Sequence, residues 1–497
     1  MILGVPGVRS PAVDASFPPV PVGTVADAVG APVRGDAAAL VTDAAYDSRA
    51  VSEGALFFCV PGAHVDGHRF ADAAVASGAA ALVVERSLDL EVPQVVVPSV
   101  RHAMGPVSAA VFGAPASSMS MAGVTGTNGK TTVTYLLEAV FRATGASPGV
   151  IGTTGAHVAG QPLPLARTTP EAPDLQRLLA RMRAAGVTAV AMEVSSHALD
   201  QRRADGIVFD VAGFTNLSQD HLDYHPSMEE YFAAKARLFT PGLSRRGVVN
   251  ADDGWGRRLL EEPAIPLTSY GFEMGGALHA EELRVDASGL SFLVGDVRLT
   301  SRLRGAFNAW NCLAALAMAV QIEIPVADAA AAIGQLDDVP GRMEPVDAGQ
   351  DFLVVVDYAH TPDSILGVLR GARPLAAGRL VVVFGCGGDR DREKRPLMGR
   401  AATSEADLTI VTSDNPRSED PMAIIDDIVP GAREGGGMFV VEPERRAAIS
   451  IAVSDAEPGD VIVIAGKGHE AYQEFADRTI PFDDREVARQ ALQERFG

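Results

Sequence analysis

Gly123-Val124-Thr125-Gly126-Thr127-Asn128-Gly129-Lys130-Thr131-Thr132 sets glycines, one lysine and several hydroxyls in an order that suits a polyphosphate. Glycines let the backbone aim its amides at phosphate oxygens, lysine adds a point charge, and a following helix contributes its unpaired N–H groups. Gly126, Thr127, Asn128, Gly129, Lys130, Thr131 and Thr132 are therefore the candidate nucleoside triphosphate loop, with the Thr131 hydroxyl available to Mg²⁺. The spacing departs from the usual loop by one residue, because Val124 stands five positions before Gly129. A structural glycine turn is the alternative.

Other side chains can complete such a site. Glu193 ends an apolar run, Thr188 to Met192, and an acid at a strand end suits Mg²⁺. His221, in Asn216-Leu217-Ser218-Gln219-Asp220-His221, is a second metal candidate, with a capping or core role as its alternative. Asn308 and Asn311 share one helical face and can reach a base or ribose, unless Asn308 caps the helix start. Arg342 can approach from a domain boundary, and Asp357 follows an apolar run from which it can hold a ribose hydroxyl. Lys235 lies among Tyr231, Phe232, Leu238 and Phe239, which implies partial burial and a lowered pKa, or else a snorkelling stem.

A different chemistry belongs to Asp414-Asn415-Pro416-Arg417. Proline pushes the preceding residue out of helical geometry, so an acid, an amide and a guanidinium are fixed where the Asp407-to-Thr412 run stops. Such a turn suits a ligand carrying both charges.

The elements that position these groups follow from periodicity. With 497 residues the chain is too long for one core. Residues 1–118 mix short strands and helices, and Pro115-Ala116-Ser117-Ser118 reads as a linker. Residues 119–340 alternate apolar strands with helical patterns, which implies a largely parallel sheet covered on both faces, with an added hairpin near 290–297. Residues 341–497 carry four buried-strand candidates (352–356, 380–384, 408–412 and 461–464), each ending in polar or glycine-rich sequence. Ligands gather outside the carboxyl ends of such strands. The expected fold class is α/β, in three domains.

Composition narrows the function. A net charge of −21 opposes a nucleic-acid surface. Cys59, Cys312 and Cys386 lack metal-like spacing and cannot all pair internally, which favours a reducing cytoplasm and no zinc. No 18-residue apolar run suggests a membrane span. The proline-broken residues 1–21 read as a disordered lead rather than a signal peptide. The chain shows no coiled-coil pattern, and a monomer is expected.

The series GTNGKTT, EVSSHAL, NLSQDHLDYH, YFAAKARLF, FNAWN, VDYAHTPD, GCGGDRD and GKGHE, in this order, resembles the Mur ligases of peptidoglycan synthesis over nearly the whole chain. The resemblance implies a substrate domain, a central P-loop ATPase sheet and a C-terminal Rossmann-like domain. It implies two Mg²⁺ ions, one held by Thr131 and Glu193 and the other by His221 and a CO₂-derived carbamate on Lys235 (N6-carboxylysine). It implies that ATP drives peptide extension of UDP-N-acetylmuramoyl-L-alanyl-D-glutamate, with Lys130, Glu193, His221 and Lys235 as the catalytic group.

The same resemblance places Thr168, Thr169, Ser195 and Arg203 on the muramoyl-dipeptide, the two threonines otherwise capping the next helix. It places the UDP end near Ser48 and His64. Asp414-Asn415-Pro416-Arg417 is similar to the turn of the branch that adds meso-2,6-diaminopimelate, whose distal end carries an ammonium and a carboxylate. Arg390 and Arg417, with Asp414 and Glu470, would hold that end, and Gly466 would let the backbone approach it. The rivals are a lysine-adding branch, the later D-alanyl-D-alanine-adding Mur ligase, folylpolyglutamate synthase, and a P-loop binding module without ligase activity.

Overall fold

In the computed structural model, residues 17–62, 65–274, 276–286 and 288–496 are described. The five-stranded sheet runs in the order Val33–Arg34, Gln94–Val96, Ala81–Val84, Ala55–Phe58, Asp43–Ala45. The central sheet has eleven strands. Its middle is parallel from Pro148–Gly152 through Ala189–Glu193, Ser120–Thr125, Val211–Phe214, Gly247–Asn250 and Leu267–Gly271 to Leu278–Asp286. Antiparallel strands close both edges, among them the hairpin Gly289–Val294 and Val297–Ser301. In the six-stranded sheet, Leu353–Asp357, Val461–Ala465, Leu380–Phe384, Leu408–Val411 and Met438–Val441 are parallel neighbours. This is the expected α/β class.

Strand alternation builds the central cores. Ala122 and Val124 face one layer, with Leu136 of helix Lys130–Ala143 and Leu313 of helix Phe307–Gln321. Met121 turns to the other layer, with Leu179, Phe209 and Phe214. Burying a side chain such as Phe209 contributes about 1.5–3 kcal/mol. Gly123 sits within the strand, where a Cβ would lie 2.9 Å from the Phe209 ring. Gly123 thus makes room for Phe209 within the strand, and the loop proper begins at Gly126.

Two expectations need correction. The lead does not extend to residue 21, because Val20–Pro21 pairs with Leu40–Val41 and Phe17 packs edge-on against Phe112. Residues Pro115–Ser118 form a 3₁₀ turn with Pro115 and Ala116 buried, not a free linker. The three cysteines are buried and free. No helix among the described residues is long and apolar enough to cross a membrane.

Candidate active site

Strand Ser120–Thr125 delivers the chain to helix Lys130–Ala143 through two positive-φ glycines, Gly126 at 144° and Gly129 at 87°. Side chains are impossible at both: a Cβ would meet Thr215 Oγ1 at 1.9 Å or Asn311 Oδ1 at 2.2 Å. Lys130 Nζ folds over the loop and donates to the carbonyls of Gly126 (2.9 Å) and Thr127 (2.8 Å). Asn216, which the residue pattern had not singled out, accepts from Asn128 N–H at 3.0 Å and ties the loop to the next strand end.

Thr131 Oγ1 donates to Glu193 Oε1 at 2.9 Å, and Arg342 Nη2 donates to Thr131 Oγ1 at 3.0 Å. Glu193 is buried, and its carboxylate also accepts from Thr153 N–H (2.8 Å) and Thr153 Oγ1 (3.1 Å). A hydroxyl and a carboxylate oxygen so close together are hard donors that fit Mg²⁺.

Lys235 is fully buried, where the sequence suggested partial burial. Its Nζ donates to Gly126 O at 2.8 Å and lies 4.6 Å from the Tyr231 ring centroid. Burial, then the charge of Lys130, drives its pKa well below the usual lysine range. His221 lines the same cleft in a left-handed turn (φ 56°), and burial lowers its pKa against the opposing pull of Asp220. Its imidazole is therefore neutral and able to ligate.

The cleft encloses about 580 Å³ between the central and C-terminal sheets, lined by Lys130, Glu193, Lys235, Asn311, Arg342 and Asp357 among others. Trp310 (in FNAWN), His360 (in VDYAHTPD) and Asp252, which lies in no quoted motif, also line it and were not singled out. Trp310 Nε1 donates to Asp252 Oδ2 at 2.7 Å. Asn308 does not line the cleft and is not the helix cap, which is Ala306. Its Oδ1 instead accepts from Asn311 Nδ2 at 2.8 Å, so it orients Asn311. Asp357 is in place, but its oxygens accept from Met343 N–H and Ala359 N–H, both at 2.8 Å. Those bonds hold the turn, and burial raises its pKa.

Thr168 and Thr169 converge on the metal-side acid. Thr168 Oγ1 is 3.1 Å from Thr153 Oγ1, and Thr169 Oγ1 donates to the Glu193 carbonyl at 2.9 Å. Neither caps the next helix, whose cap position is Glu171. Ser195 caps helix Ser196–Asp200 by accepting from Ala198 N–H. Arg203 is not an open fork: it is buried, ion-paired with Glu171 at 3.0 Å, and donates to Thr169 O and Gln201 Oε1. Ser48 sits in a 3₁₀ turn capped by Asp47, away from the cleft lining. His64 lies outside the described residues.

The third sheet's strand ends carry the second cluster. Asp414 and Asn415 are buried, and Asp414 Oδ1 accepts from Asn415 N–H at 2.7 Å. Asn415 Nδ2 donates to Glu470 Oε2 at 2.8 Å, while its Oδ1 accepts from Lys467 Nζ and Glu474 N–H, both at 3.0 Å. Burial, then Asp414, raises the Glu470 pKa. Lys467 is fully buried and was not singled out, although it stands in the quoted GKGHE. The loop glycine Gly466 (φ 115°) has a specific steric cause, since a Cβ there would lie 2.4 Å from Asp414 Oδ2. It makes room for the protein's own carboxylate. Arg417 is half-buried in a left-handed conformation (φ 54°) and donates to Gly388 O (2.7 Å) and Glu474 Oε2 (3.1 Å). Arg390 is exposed beside Gly387, which also abuts Arg417.

Comparisons with known proteins agree along the chain. Residues 41–112 match the catalytic domain of the Mur ligase family, 124–319 the Mur ligase middle domain, and 341–468 the Mur ligase glutamate ligase domain. The chain is 47% identical, over 90% of its length and 94% of the relative's, to UDP-N-acetylmuramoyl-L-alanyl-D-glutamate–2,6-diaminopimelate ligase of Geobacillus thermodenitrificans. It is 44% identical to the like-named Streptomyces coelicolor protein, over 96% of this chain and 97% of that one. A solved structure of the same name aligns with TM-score 0.66 at 35% identity, covering 92% of this chain and 96% of the other. MurF from Acinetobacter baumannii aligns with TM-score 0.68 at 17% identity, over 96% of this chain and 100% of that one, a likeness of fold alone.

Proposed function

The chain belongs to the Mur ligase family, and from that premise we propose that it joins meso-2,6-diaminopimelate to UDP-N-acetylmuramoyl-L-alanyl-D-glutamate at the expense of ATP. The product is a peptidoglycan precursor, made in the cytoplasm by a monomer. The observation that carries the choice of amino acid is the strand-end cluster. Carboxylates from Asp414 and Glu470 and the guanidinium of Arg417 gather on two adjoining loops, and Asn415 bridges to Glu470 at 2.8 Å. A distal ammonium and carboxylate complement those charges, whereas lysine brings no anion for the part of the Arg417 guanidinium that Glu474 and Gly388 leave open. An unmet charged partner costs about 2–5 kcal/mol, more than tenfold in selectivity.

An amine cannot displace oxide from a carboxylate at neutral pH, so the acceptor must first be activated. Its carboxylate oxygen attacks the ATP γ-phosphorus, ADP leaves, and an acyl phosphate forms. The amine of diaminopimelate then adds to the acyl carbon, and the tetrahedral intermediate collapses with loss of phosphate and a proton. Lys130 swings from the loop carbonyls to the transferring oxygens, and the loop amides hold the phosphates. Arg342 steadies Thr131, and Thr168, Thr169 and Ser195 line the acceptor side beside Glu193. Thr131 and Glu193 would hold one Mg²⁺, and His221 with modified Lys235 a second; bound there, the ions would supply charge neutralisation for the phosphates.

Carbamylation of Lys235 is supported by its burial and depressed pKa. A neutral amine can add its lone pair to the carbon of CO₂ and lose a proton, and the resulting carboxylate can ligate where an ammonium cannot. Within the diaminopimelate pocket, Arg390 and Arg417 take the distal carboxylate and Asp414 and Glu470 the ammonium, with Gly466 keeping Asp414 close. Ser48 and His64 remain the proposed contacts of the UDP end.

Phosphate release measured with ATP and the UDP-dipeptide, supplying diaminopimelate, lysine or D-alanyl-D-alanine in turn, tests the reading. Release and amide product are expected with diaminopimelate. Equal turnover of lysine would overturn the choice of amino acid.

A further inference from the structure

Thr153 is a junction that none of the motifs contains. Its N–H and Oγ1 both hold the Glu193 carboxylate, at 2.8 and 3.1 Å, and the same hydroxyl is 3.1 Å from Thr168 on the acceptor side. Its carbonyl oxygen faces the C-terminal sheet, where His469 Nε2 meets it at 3.2 Å, a contact 316 residues apart in sequence.

His469 is not there by loose packing. It follows Gly468, where a Cβ would lie 2.7 Å from Tyr358 Cβ, and its own N–H faces Gly341, where a Cβ would lie 2.2 Å away. The loop backbone is thus pressed onto Gly341 and Tyr358, and the His469 ring lies 5.3 Å from the Tyr358 ring. The carbonyl can only accept, so Nε2 carries a proton. Burial pulls the ring's pKa to about 4, so at neutral pH it is uncharged with that proton on Nε2. Nδ1 is buried and has no hydrogen-bond partner among the described residues. The one polar bond of the ring is therefore the one across to Thr153.

The loop carrying His469 also carries Lys467 and Glu470, which hold Asn415 in the amino-acid pocket. We propose that His469 is a positioning residue: through the Thr153 carbonyl it fixes the amino-acid-binding loop to the segment that orients Glu193. The amino-acid pocket and the phosphate-side acid then share one register, so the incoming amine and the activated acyl group meet at a set separation. The assignment of the two pockets rests on the function proposed above; the His469–Thr153 link itself does not.

Two variants separate a donor from a space-filling ring. His469→Gln keeps an N–H donor, and His469→Phe keeps a ring against Tyr358 without one. Amide hydrogen exchange of the 148–154 segment in metal- and nucleotide-free protein reads the link through the mobility of the segment it anchors, the Thr153 N–H itself being held by Glu193. Exchange at Thr153 should rise roughly three- to tenfold in His469→Phe, the factor a neutral hydrogen bond carries, and stay near wild type in His469→Gln. In the ligation assay His469→Phe should lower kcat by a similar factor at unchanged KM for ATP, with His469→Gln restoring most of it. Wild-type exchange and kcat in His469→Phe would overturn the proposal, as would equal defects in both variants. Failure of the wild-type protein to ligate diaminopimelate would overturn the functional reading and leave the exchange result to decide the link.

Discussion

The phosphate-loop cleft and the proposed amino-acid pocket both lie at the carboxyl ends of parallel strands, yet they manage charge in opposite ways. In the cleft two lysines converge on one carbonyl: Lys130 and Lys235 both donate to Gly126 O, at 2.9 and 2.8 Å. Burial, then the charge of Lys130, lowers the Lys235 pKa, while burial lowers that of Lys130 against the opposing pull of Glu193 and Asp220. In the pocket the cations are paired: Lys467 with Glu470, Arg417 with Glu474, and the fully buried Arg445 with Asp484 at 2.7 Å. Arg395 behind the pocket pairs with Glu419 and Asp427. Lys130 by contrast holds only backbone carbonyls, which an anionic ligand can replace. The pocket is internally balanced, and so tests whether a ligand's charges fit an existing pattern.

Removing Lys130, which no acid among the described residues pairs, should have the largest effect. Lys130→Ala should lower kcat on the order of 10³-fold with the fold intact, measured as phosphate release beside a circular dichroism spectrum. A folded variant with wild-type turnover would dissolve the contrast between the regions. Lys235→Ala should follow, with a loss on the order of 10²-fold. Short carboxylic acids filling the vacated space should restore part of that activity if the working group is a carbamate. Rescue by alkylamines instead would show that the ammonium is the working form.

Arg417→Ala instead removes a cation that Glu474 already pairs. Arg417 is half-buried and keeps two anchoring bonds, so the expected cost is about 2 kcal/mol, at the lower end for a charged partner. The loss should fall on kcat/KM for diaminopimelate and much less on that for lysine. Arg417→Lys should be poor too, since an ammonium cannot reproduce a fork of parallel donors. Equal losses with both amino acids would mean that Arg417 supports the pocket without reading the carboxylate.

The smallest effect concerns the pocket's foundations. The Arg395 hydrogen bond, opposed by partial burial, holds the Glu419 pKa down at about 2, below its ordinary 4.5. A depressed carboxylate contributes stability above its unfolded pKa and loses it as pH falls through the folded one. Unfolding in urea should therefore show stability falling from about pH 4.5 toward 2, with a shallower fall in Glu419→Gln. Parallel curves for the two proteins would remove this pair from the account.

Local pattern revealed most of the cleft because its chemistry is nearly contiguous. The glycines, Lys130 and Thr131 lie within one turn of a strand–helix junction, and Glu193 ends a neighbouring strand. Asn308 was misjudged for a physical reason: a side chain on the same helical face as Asn311 can orient it instead of touching a ligand. Arg203 and Asp357 present the same difficulty, because a charged residue beside a site can be consumed by the protein's own acid or amides. Asp252 and Thr153 lie in no motif, and the roles of Trp310 and His469 could not be read from theirs, since the partners are 58 residues away in one case and 316 in the other.

By itself the sequence determined the α/β class, the phosphate loop and the acid–amide–guanidinium turn, since each depends on strand periodicity, glycine freedom or proline constraint within a few residues. Tertiary structure alone decided which charges are spent internally and which remain for a ligand. It buried Lys235 against Gly126, neutralised Arg203 with Glu171, and set Gly466 against Asp414. The reason is that burial and pairing depend on distance in space, and a chain's spacing fixes distance only within a turn or two.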